Sequence, residues 1–300
     1  MSTANVITEE LGPRGKRRVR IGTAVALVVF ALVLWWAYRK LDENGQTEIA
    51  GWRALTEWAT VKFLFGGLVG TIEAAVVAAI IATVLGFALA LMRLAKSRAV
   101  QIVAVAWVEL FRALPLLFLI FGVFYLDTSF SRGRGGDALL GTFWSIVVAL
   151  VLYNSAVLSE IFRAGVRSLD SGQSEAAHSV GMSYWQTMFL VVLPQAVRRM
   201  IPALVAQMAT LTKDVSLGFV ISYVEFVRRG SGTANFGATT NFQAYVMIGV
   251  VYFVLVWAIA RLARFLEGRQ RTSVKVDAPA GGAGEEATDD AMSVAATESA

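Results

Sequence analysis

Residues Phe63–Leu91 read FLFGGLVGTIEAAVVAAIIATVLGFALAL, a continuous apolar stretch in which Glu73 is the single ionisable side chain. A helix needs about 20 apolar residues to cross the hydrocarbon core of a bilayer. This stretch is longer than that and presents no polar face to water. It therefore predicts a transmembrane helix, and a bilayer as the main solvent of the chain.

The composition of the chain agrees with a membrane solvent. Of its 300 residues, 56% are hydrophobic and 16% are charged, whereas a soluble domain is about 25% charged. There is no cysteine, which excludes disulfides and thiolate metal sites. The single histidine, His178, excludes a histidine-rich metal centre, so no metal site is expected.

Six stretches are long and apolar enough to span a membrane, and together they predict an all-α, polytopic transmembrane helical bundle. They are Ile21–Tyr38, Phe63–Leu91, Ile102–Leu126, Phe143–Phe162, Ile201–Tyr223 and Phe242–Leu262. The first follows a basic segment, as in a signal peptide. It is too long for the apolar region of one, and no A-x-A cleavage site follows, so we expect an uncleaved anchor.

The distribution of Lys and Arg gives the expected orientation. With the N-terminus in the cytoplasm, the inner segments contain about twice as many Lys and Arg residues as the outer loops. Basic residues favour the cytoplasmic side, and an even number of spans returns the chain to it. The sequence therefore predicts a multi-pass protein of the inner (plasma) membrane with both termini cytoplasmic. The net charge of +5 is then a topology signal, and no nucleic-acid partner is expected.

The expected organisation has four parts. Residues 1–20 form a basic cytoplasmic tail, and residues 21–62 form an extra N-terminal span with an outer loop. Residues 63–266 form the main transmembrane domain, which includes a cytoplasmic loop at 169–194. Residues 267–300 are acidic and, from Ser273 onward, almost without large apolar side chains; such a segment cannot bury enough surface to offset its ordering entropy, so disorder is predicted.

The cytoplasmic loop between the fourth and fifth predicted spans has the pattern of two capped helices. Asp170 is a good helix N-cap with Gln173 three residues later, and Gly181 suits the left-handed position that ends a helix. Ser183–Gln186 is an S-x-x-Q capping box that opens a second helix. Leu193–Pro194 should stop or kink it. By spacing alone, this pattern also fits a well-capped connecting loop.

The same loop resembles a known family motif. Glu175-Ala176-Ala177, then Gly181, then Val191–Pro194 resembles the EAA loop of the permeases of ATP-binding-cassette (ABC) importers. The longer run from Gln173 to Gln195 is similar to the polar-amino-acid subfamily, which includes histidine, glutamine, arginine and glutamate systems. A further run, Leu211–Leu217 (LTKDVSL), supports that similarity.

A second hallmark of that subfamily, ELFRGTP, is similar to Glu109–Pro115, which reads ELFRALP. Ala-Leu in place of Gly-Thr makes the local backbone less flexible. The resemblance covers about Phe65 to Leu266. The long terminal tails look most like the glutamate permeases of actinobacteria.

The resemblance implies a type I importer permease that moves a polar amino acid, with glutamate as the leading candidate, by alternating access. It implies three kinds of protein partner: a dimer of a separate ATPase subunit, a second permease subunit (homologous or identical), and an extracytoplasmic solute-binding protein. The chain has no G-x-x-x-x-G-K-[ST] phosphate loop. It is therefore not expected to be an enzyme or to bind a cofactor, since ATP and magnesium belong to the ATPase. The residues expected to dock the ATPase are Gln173, Glu175, Ala176, Ala177, Gly181 and Pro194.

Charged residues inside a span are costly and are candidates for function. Lys213 and Asp214 lie near the middle of the fifth predicted span, and Thr210 and Leu217 share their helical face by the i, i+3, i+4, i+7 rule. Transporters bind substrate near the midplane, where Lys213 suits a carboxylate and Asp214 an ammonium group. The alternative is a structural ion pair. The candidate substrate path is Thr210, Lys213, Asp214 and Ser216.

A second charged pair lies in the third predicted span. Glu109 and Arg112 are spaced i, i+3 and can satisfy each other on one face of a helix. Their position nearer the cytoplasmic end favours a gate or a structural pair over contact with the substrate.

Two other functional classes compete with a permease. An intramembrane hydrolase needs a nucleophile beside a base; His178 lies outside the spans, which leaves only a Ser216–Lys213 pair. An ion or solute channel without ATPase coupling is the remaining alternative. The paired, capped cytoplasmic helices argue against a channel, since a channel without an ATPase has no mechanical movement to receive from a partner.

Overall fold

The structure, a computed structural model, describes residues 12–133, 138–235 and 241–272; the side chains of Ser171, Asn235 and residues 262–272 are outside the description. Within these ranges the chain forms helices and no strand. The α-helices are α1 (Pro13–Glu43), α2 (Ile49–Thr56), α3 (Trp58–Leu94), α4 (Arg98–Ala113), α5 (Leu116–Gly133), α6 (Gly141–Arg167), α7 (Ser171–Ser179), α8 (Tyr184–Gln186), α9 (Leu193–Asp214), α10 (Phe226–Gly232) and α11 (Asn241–Thr272). A π-helical turn covers Thr187–Val192, and 3-10 turns cover Val215–Ile221 and Thr233–Asn235.

The all-α, six-span prediction is confirmed for the described residues. Six helical segments are long and apolar enough to cross a membrane: Pro13–Glu43, Trp58–Leu94, Leu116–Gly133, Gly141–Arg167, Tyr184–Ile221 and Asn241–Arg261. Most extend beyond the predicted bounds, because a helix continues through the polar residues that flank its apolar centre. The predicted disorder of residues 267–300 is wrong for residues 267–272, which belong to α11, and its remainder lies outside the described residues.

The third predicted span, Ile102–Leu126, is wrong as a continuous helix. Helix α4 ends at Ala113 and α5 begins at Leu116, with Leu114 in an extended conformation (φ −81°, ψ 132°). Pro115 causes this break, since the residue before a proline is disfavoured in the helical region. The spanning helix of this region is therefore α5, and α4 is a separate helix before it, with the corner between them inside the ELFRALP run.

The fifth span also differs from its prediction. The helix that opens at Tyr184 does not stop near Pro194. It passes through the π-helical turn, in which the Leu193 N–H donates to the carbonyl of Met188, and continues as α9. A π turn widens the helix by one residue, which makes room for the proline ring. The second capped helix is therefore the start of the fifth span.

The chain divides into two compact units, and the first contains the described residues within Met1–Glu160 and Thr210–Val256. Among the spanning helices, α6 is the most buried. Helix α3 touches α6 backbone to backbone at Gly86, where an added Cβ would lie 2.8 Å from Leu158 Cβ and 2.9 Å from the Ser155 carbonyl oxygen. This contact leaves no room for any larger residue at position 86.

Two short helices, α2 and α10, were not predicted from the sequence and pack onto the first unit. The fully buried Gln243 donates from Nε2 to the Glu48 carbonyl at 2.8 Å, at the start of α2. The start of α10 lies against α3, where the Phe226 N–H donates to Thr71 Oγ1 at 3.1 Å. Tyr223 Oη donates to the Gly70 carbonyl at 2.8 Å. Tertiary contacts thus hold helices that are too short to be stable alone.

The second unit contains the described residues within Ile161–Ala209 and Trp257–Ala300. In it, the end of α6 packs on α9 at Gly165, where a Cβ would lie 2.2 Å from Met200 Cγ. Arg199 Nη1 donates to the Ser168 carbonyl at 2.5 Å. These contacts fix the segment from which α7 begins.

Candidate functional site

Helix α7 carries the EAA triplet and is capped at both ends. Asp170 is its N-cap, and Asp170 Oδ1 accepts a hydrogen bond from the Gly172 N–H at 2.9 Å. At its other end Gly181 has φ +83°. The Gly181 N–H donates to the His178 carbonyl and the Met182 N–H to the Ala177 carbonyl, which is the Schellman arrangement. Both predicted caps are confirmed.

The predicted reach of Gln173 back to Asp170 is replaced by another contact, because Gln173 Oε1 accepts from Gln195 Nε2 at 3.4 Å. This bond ties the first turn of α7 to the first turn of α9. The capping box at Ser183 forms as predicted. The Ser183 N–H donates to Gln186 Oε1 at 2.8 Å, and the Gln186 N–H donates to Ser183 Oγ.

The loop presents an exposed surface around the triplet. Glu175, Ala176 and Pro194 are exposed, whereas Ala177, which was expected on the docking surface, is buried under it. Sequence reasoning missed two large apolar side chains of the same segment, Val180 and Trp185, which are 76% and 49% exposed. Exposed apolar groups rimmed by polar ones mark interaction surfaces. Trp185 also stacks on Phe189 one turn later, with ring centroids 5.8 Å apart.

The Lys213 segment lies in the first unit, at the end of α9. Leu211 and Thr212 turn into the core, with 1% and 7% exposure, whereas Thr210 and Lys213 are exposed and Asp214 is half-buried. No ion pair or hydrogen bond joins the side chains of Lys213 and Asp214 within the described residues. The protomer thus leaves the lysine ammonium group on its surface.

The predicted helical face is shorter than expected. Helix α9 ends at Asp214, and Ser216 and Leu217 lie in the 3-10 turn Val215–Ile221. A 3-10 turn advances by three residues per turn instead of 3.6. The i, i+3, i+4 relation therefore holds for Thr210, Lys213 and Asp214 but does not extend to Leu217.

The charges of the ELFR run form a different pair from the one predicted. Arg112 Nη1 lies 3.3 Å from Glu160 Oε1, and Arg93 Nη1 lies 2.7 Å from the same oxygen. Glu160 thus joins the ends of α3 and α4 to α6. In the part of the chain that is described, no ion pair joins Glu109 to Arg112, and Glu109 is exposed.

Glu225, which precedes α10, was also missed by sequence reasoning. It is fully buried, and its carboxylate accepts from the N–H groups of Val227 and Arg228 at 2.7 and 2.6 Å and from Tyr252 Oη at 3.3 Å. Burial raises the pKa of Glu225 to about 7, against the lowering effect of these three donors. The only hint in the sequence was an acid inside an apolar run.

No cation offsets the buried carboxylate among the described residues. Arg228 reaches it only through its backbone, and the Arg229 guanidinium donates instead to the Phe63 carbonyl at 2.7 Å. Tyr223, whose pKa is raised to about 12 by burial and by the charges of Glu73 and Glu225, lies on the same segment. Burial therefore disfavours the ionised form of Glu225, because its carboxylate is removed from solvent and no described cation offsets the charge.

This arrangement predicts a pH-dependent stability. The folded pKa of about 7 exceeds the ordinary value, so the stabilisation is full at acid pH and is lost as pH rises through 7. Glu225→Gln, which mimics the protonated form, should raise the free energy of unfolding at pH 8 by on the order of 1–3 kcal/mol and leave it nearly unchanged at about pH 4, below the ordinary pKa of 4.5. Thermal unfolding of the purified chain in detergent at both pH values measures this.

The control for that measurement is Glu57→Gln. Glu57 is exposed and its side chain makes no cap bond at α3, so the same chemical change should leave the pH dependence of the unfolding temperature as in the unaltered chain. An equal pH dependence in Glu225→Gln and Glu57→Gln would contradict the assignment to Glu225.

Comparison with protein families places most of the described chain in one of them. Residues 82–272 match the model of the binding-protein-dependent transport system inner membrane component. The chain is 36% identical over 247 residues to a glutamate transport system permease protein of Corynebacterium glutamicum, covering 80% of this chain and 88% of that protein. It is 34% identical over 219 residues to a glutamate/aspartate import permease protein of Escherichia coli, covering 71% of this chain and 97% of that protein.

Other similar proteins have different substrates in their names. A probable glutamine ABC transporter permease protein of Bacillus subtilis is 36% identical over 212 residues, which are 70% of this chain and 94% of that protein. Among solved structures, an amino acid ABC transporter aligns with a TM-score of 0.63 at 28% identity, over 70% of this chain and 94% of the other. A methionine ABC transporter in an inward-facing conformation aligns with a TM-score of 0.59 at 17% identity, over 71% and 99%, a likeness of fold alone.

Proposed function

Since the chain belongs to the family of binding-protein-dependent transport system inner membrane components and is a permease subunit of an amino-acid ABC importer, we propose that it moves glutamate or a close relative by alternating access. A separate ATPase drives the movement; this chain is a membrane component and not itself a catalytic enzyme. The exposed, doubly capped helix α7 supports the coupling to an ATPase, and the similarity to permeases named for glutamate and for glutamate/aspartate supports the substrate.

The ATPase contact is assigned to α7 on physical grounds. A part that transmits a mechanical stroke must be stiff, and caps at both ends of a nine-residue helix supply that stiffness. The small exposed Ala176 allows a partner groove to approach closely. Glu175 beside it is exposed and can accept a charge-assisted hydrogen bond from an arginine of the partner.

The second permease subunit is assigned to the face that bears Lys213. A charged side chain facing hydrocarbon at membrane depth is costly, yet this protomer leaves Lys213 and Thr210 exposed. A facing permease, identical or homologous, with a water-filled path between the two would remove that cost. The ammonium group of Lys213 would then meet the substrate carboxylate, and Asp214 its ammonium group.

The proposed orientation places both termini, α7 and α8 in the cytoplasm, and the start of α3, α10 and the segment between α5 and α6 outside. The bias of Lys and Arg toward the first set of segments supports it. In the cysteine-free chain, single cysteines at positions 134 and 290 can be treated with an impermeant thiol reagent in whole cells. Only the first should react; reaction at 290 alone would reverse the orientation.

Reconstitution tests the proposed function. The permease, its ATPase and its solute-binding protein are placed in proteoliposomes, and uptake of labelled glutamate is followed with and without ATP. We expect ATP-dependent uptake that excess unlabelled glutamate displaces and arginine does not. Uptake that is independent of ATP would indicate a channel, and displacement by arginine or glutamine in preference to glutamate would overturn the substrate.

A further inference from the structure

The first turn of α7 is bonded to a side chain of the fifth span. Gln195 Nε2 donates to the Val191 carbonyl at 3.0 Å and to Gln173 Oε1 at 3.4 Å. Val191 lies in the π-helical turn, and Gln173 lies in α7. One amide group therefore connects α7, the π-helical turn and the first turn of α9, and all three belong to the second unit.

Gln195 lies on a face of α9 that contacts the chain on both sides of the α7 N-cap. Arg199 is one turn further along α9 and shares this face by the i, i+4 relation, and its guanidinium donates to the Ser168 carbonyl. Ser168 precedes the N-cap Asp170, and Gln173 follows it. The hydrogen bonds of Arg199 and Gln195 thus fix the start of α7 against the fifth span.

The rest of α7 packs against the same span. The π-helical turn Thr187–Val192 contacts α7, and Ala177 of α7 is buried. A helix that is bonded at its start and packed along its length cannot swing without breaking these contacts. The contacts therefore favour joint movement of α7 and the start of the fifth span.

We propose that Gln195 is a positioning residue that holds α7 on the fifth span, so that the two move as one body when the ATPase moves α7. The inference rests on the proposed coupling of α7 to an ATPase, and it adds the route by which that movement enters the membrane domain. The movement then reaches the fifth span through the π-helical turn and the first turn of α9.

Cross-linking of the purified, full-length permease tests the contact without transport. The chain has no cysteine, so Gln173→Cys with Gln195→Cys creates a single thiol pair. A bis-methanethiosulfonate with a short spacer can join this pair, and a reducing agent can release it. The matched control is Ser179→Cys with Gln195→Cys, since Ser179 lies further along α7 by about 9 Å at 1.5 Å per residue.

We expect the intact mass to show a nearly complete cross-link in the pair at 173 and 195 and little in the control pair. Equal yields in the two pairs, or no cross-link in the first, would overturn the proposal.

ATP-dependent uptake in proteoliposomes then tests the joint movement. The reduced double-cysteine permease lacks the hydrogen bond between positions 173 and 195. Its ratio of glutamate taken up to ATP hydrolysed should fall by about two- to fivefold, the factor by which one side-chain hydrogen bond changes an equilibrium. The cross-link should restore the ratio. A normal ratio in the reduced form would overturn the role of Gln195, and a cross-linked form that is not restored would overturn the joint movement.

The single-cysteine variants Gln173→Cys and Gln195→Cys control for the reagent. Each should lose as much as the reduced pair, and the reagent should restore neither, because one thiol cannot complete the link; restoration in either would overturn the assignment. If the unaltered chain shows no ATP-dependent uptake, the proposed function fails, and the cross-linking yields of the purified permease still decide whether Gln195 holds α7.

Discussion

Glu175→Arg should abolish ATP-driven uptake while the permease remains inserted in the membrane. Glu175 lies at the centre of α7, is exposed and makes no capping bond, so its replacement leaves both ends of the helix intact. The partner surface proposed for it is basic. Reversal of the charge puts like charges together at a contact that must be dry and close, and such a juxtaposition costs several kcal/mol.

The measurement has two readouts, ATPase recovered with the purified permease and uptake per inserted permease. We expect both to fall at least tenfold in Glu175→Arg. The control is Glu57→Arg, which makes the same charge reversal at an exposed residue before α3, on the side proposed to be outside. Normal ATPase recovery and uptake in Glu175→Arg would remove α7 from the interface. A compensating Arg→Glu change in the ATPase that restores uptake would identify the partner residue.

The local features of this loop could be predicted from the sequence because caps are short-range. Asp170, Gly181 and the Ser183–Gln186 box each act within three to six residues, and all three adopt the expected hydrogen bonds. The exception, Gln173, bonds to Gln195. A partner 22 residues away competes with the local one, and no local rule contains it.

The spans show the same limit. Apolar length located the six spans, but it could not show how the chain responds to the three prolines within them, Pro115, Pro194 and Pro202. Pro115 separates α4 from the spanning helix α5, whereas the helix continues past Pro194 through a π turn. Pro202 lies inside α9. Pro115 and Pro194 both follow a leucine, so the Leu-Pro dipeptide alone does not decide between the two outcomes.

Ionic partners were the least predictable part. The sequence predicts an ion pair between Arg112 and Glu109, because spacing along one helix is the only distance that a sequence contains. In the structure Arg112 pairs with Glu160 from α6 instead. Glu225 was missed for a related reason. Its burial depends on Tyr252 from α11 and on the close packing of α3 against the start of α10. At this contact an added Cβ on Gly67 would lie 3.0 Å from the Glu225 carbonyl oxygen.

Lys213→Ala should reduce uptake per inserted permease by at least tenfold. The proposal places the Lys213 ammonium group on a path shared with the second subunit, where water is scarce and a charge interaction with the substrate carboxylate is strong. The protomer itself makes no ion pair with Lys213 in its described residues, so removal of the amine should not leave a partner carboxylate unsatisfied within the protomer. Transport should suffer more than folding.

Uptake divided by the amount of inserted protein separates the two roles. A substrate-binding role predicts normal insertion with low specific uptake, and the concentration for half-maximal uptake should rise. A structural ion pair with Asp214 predicts the opposite, since a buried carboxylate left alone lowers the amount of folded protein by an effect of several kcal/mol. Lys62→Ala, an exposed lysine near the outer end of α3, is the matched control and should transport normally. Normal specific uptake in Lys213→Ala, at any level of protein, would exclude this residue from the substrate path and would leave the exposed end of α9 as a contact with the second subunit alone.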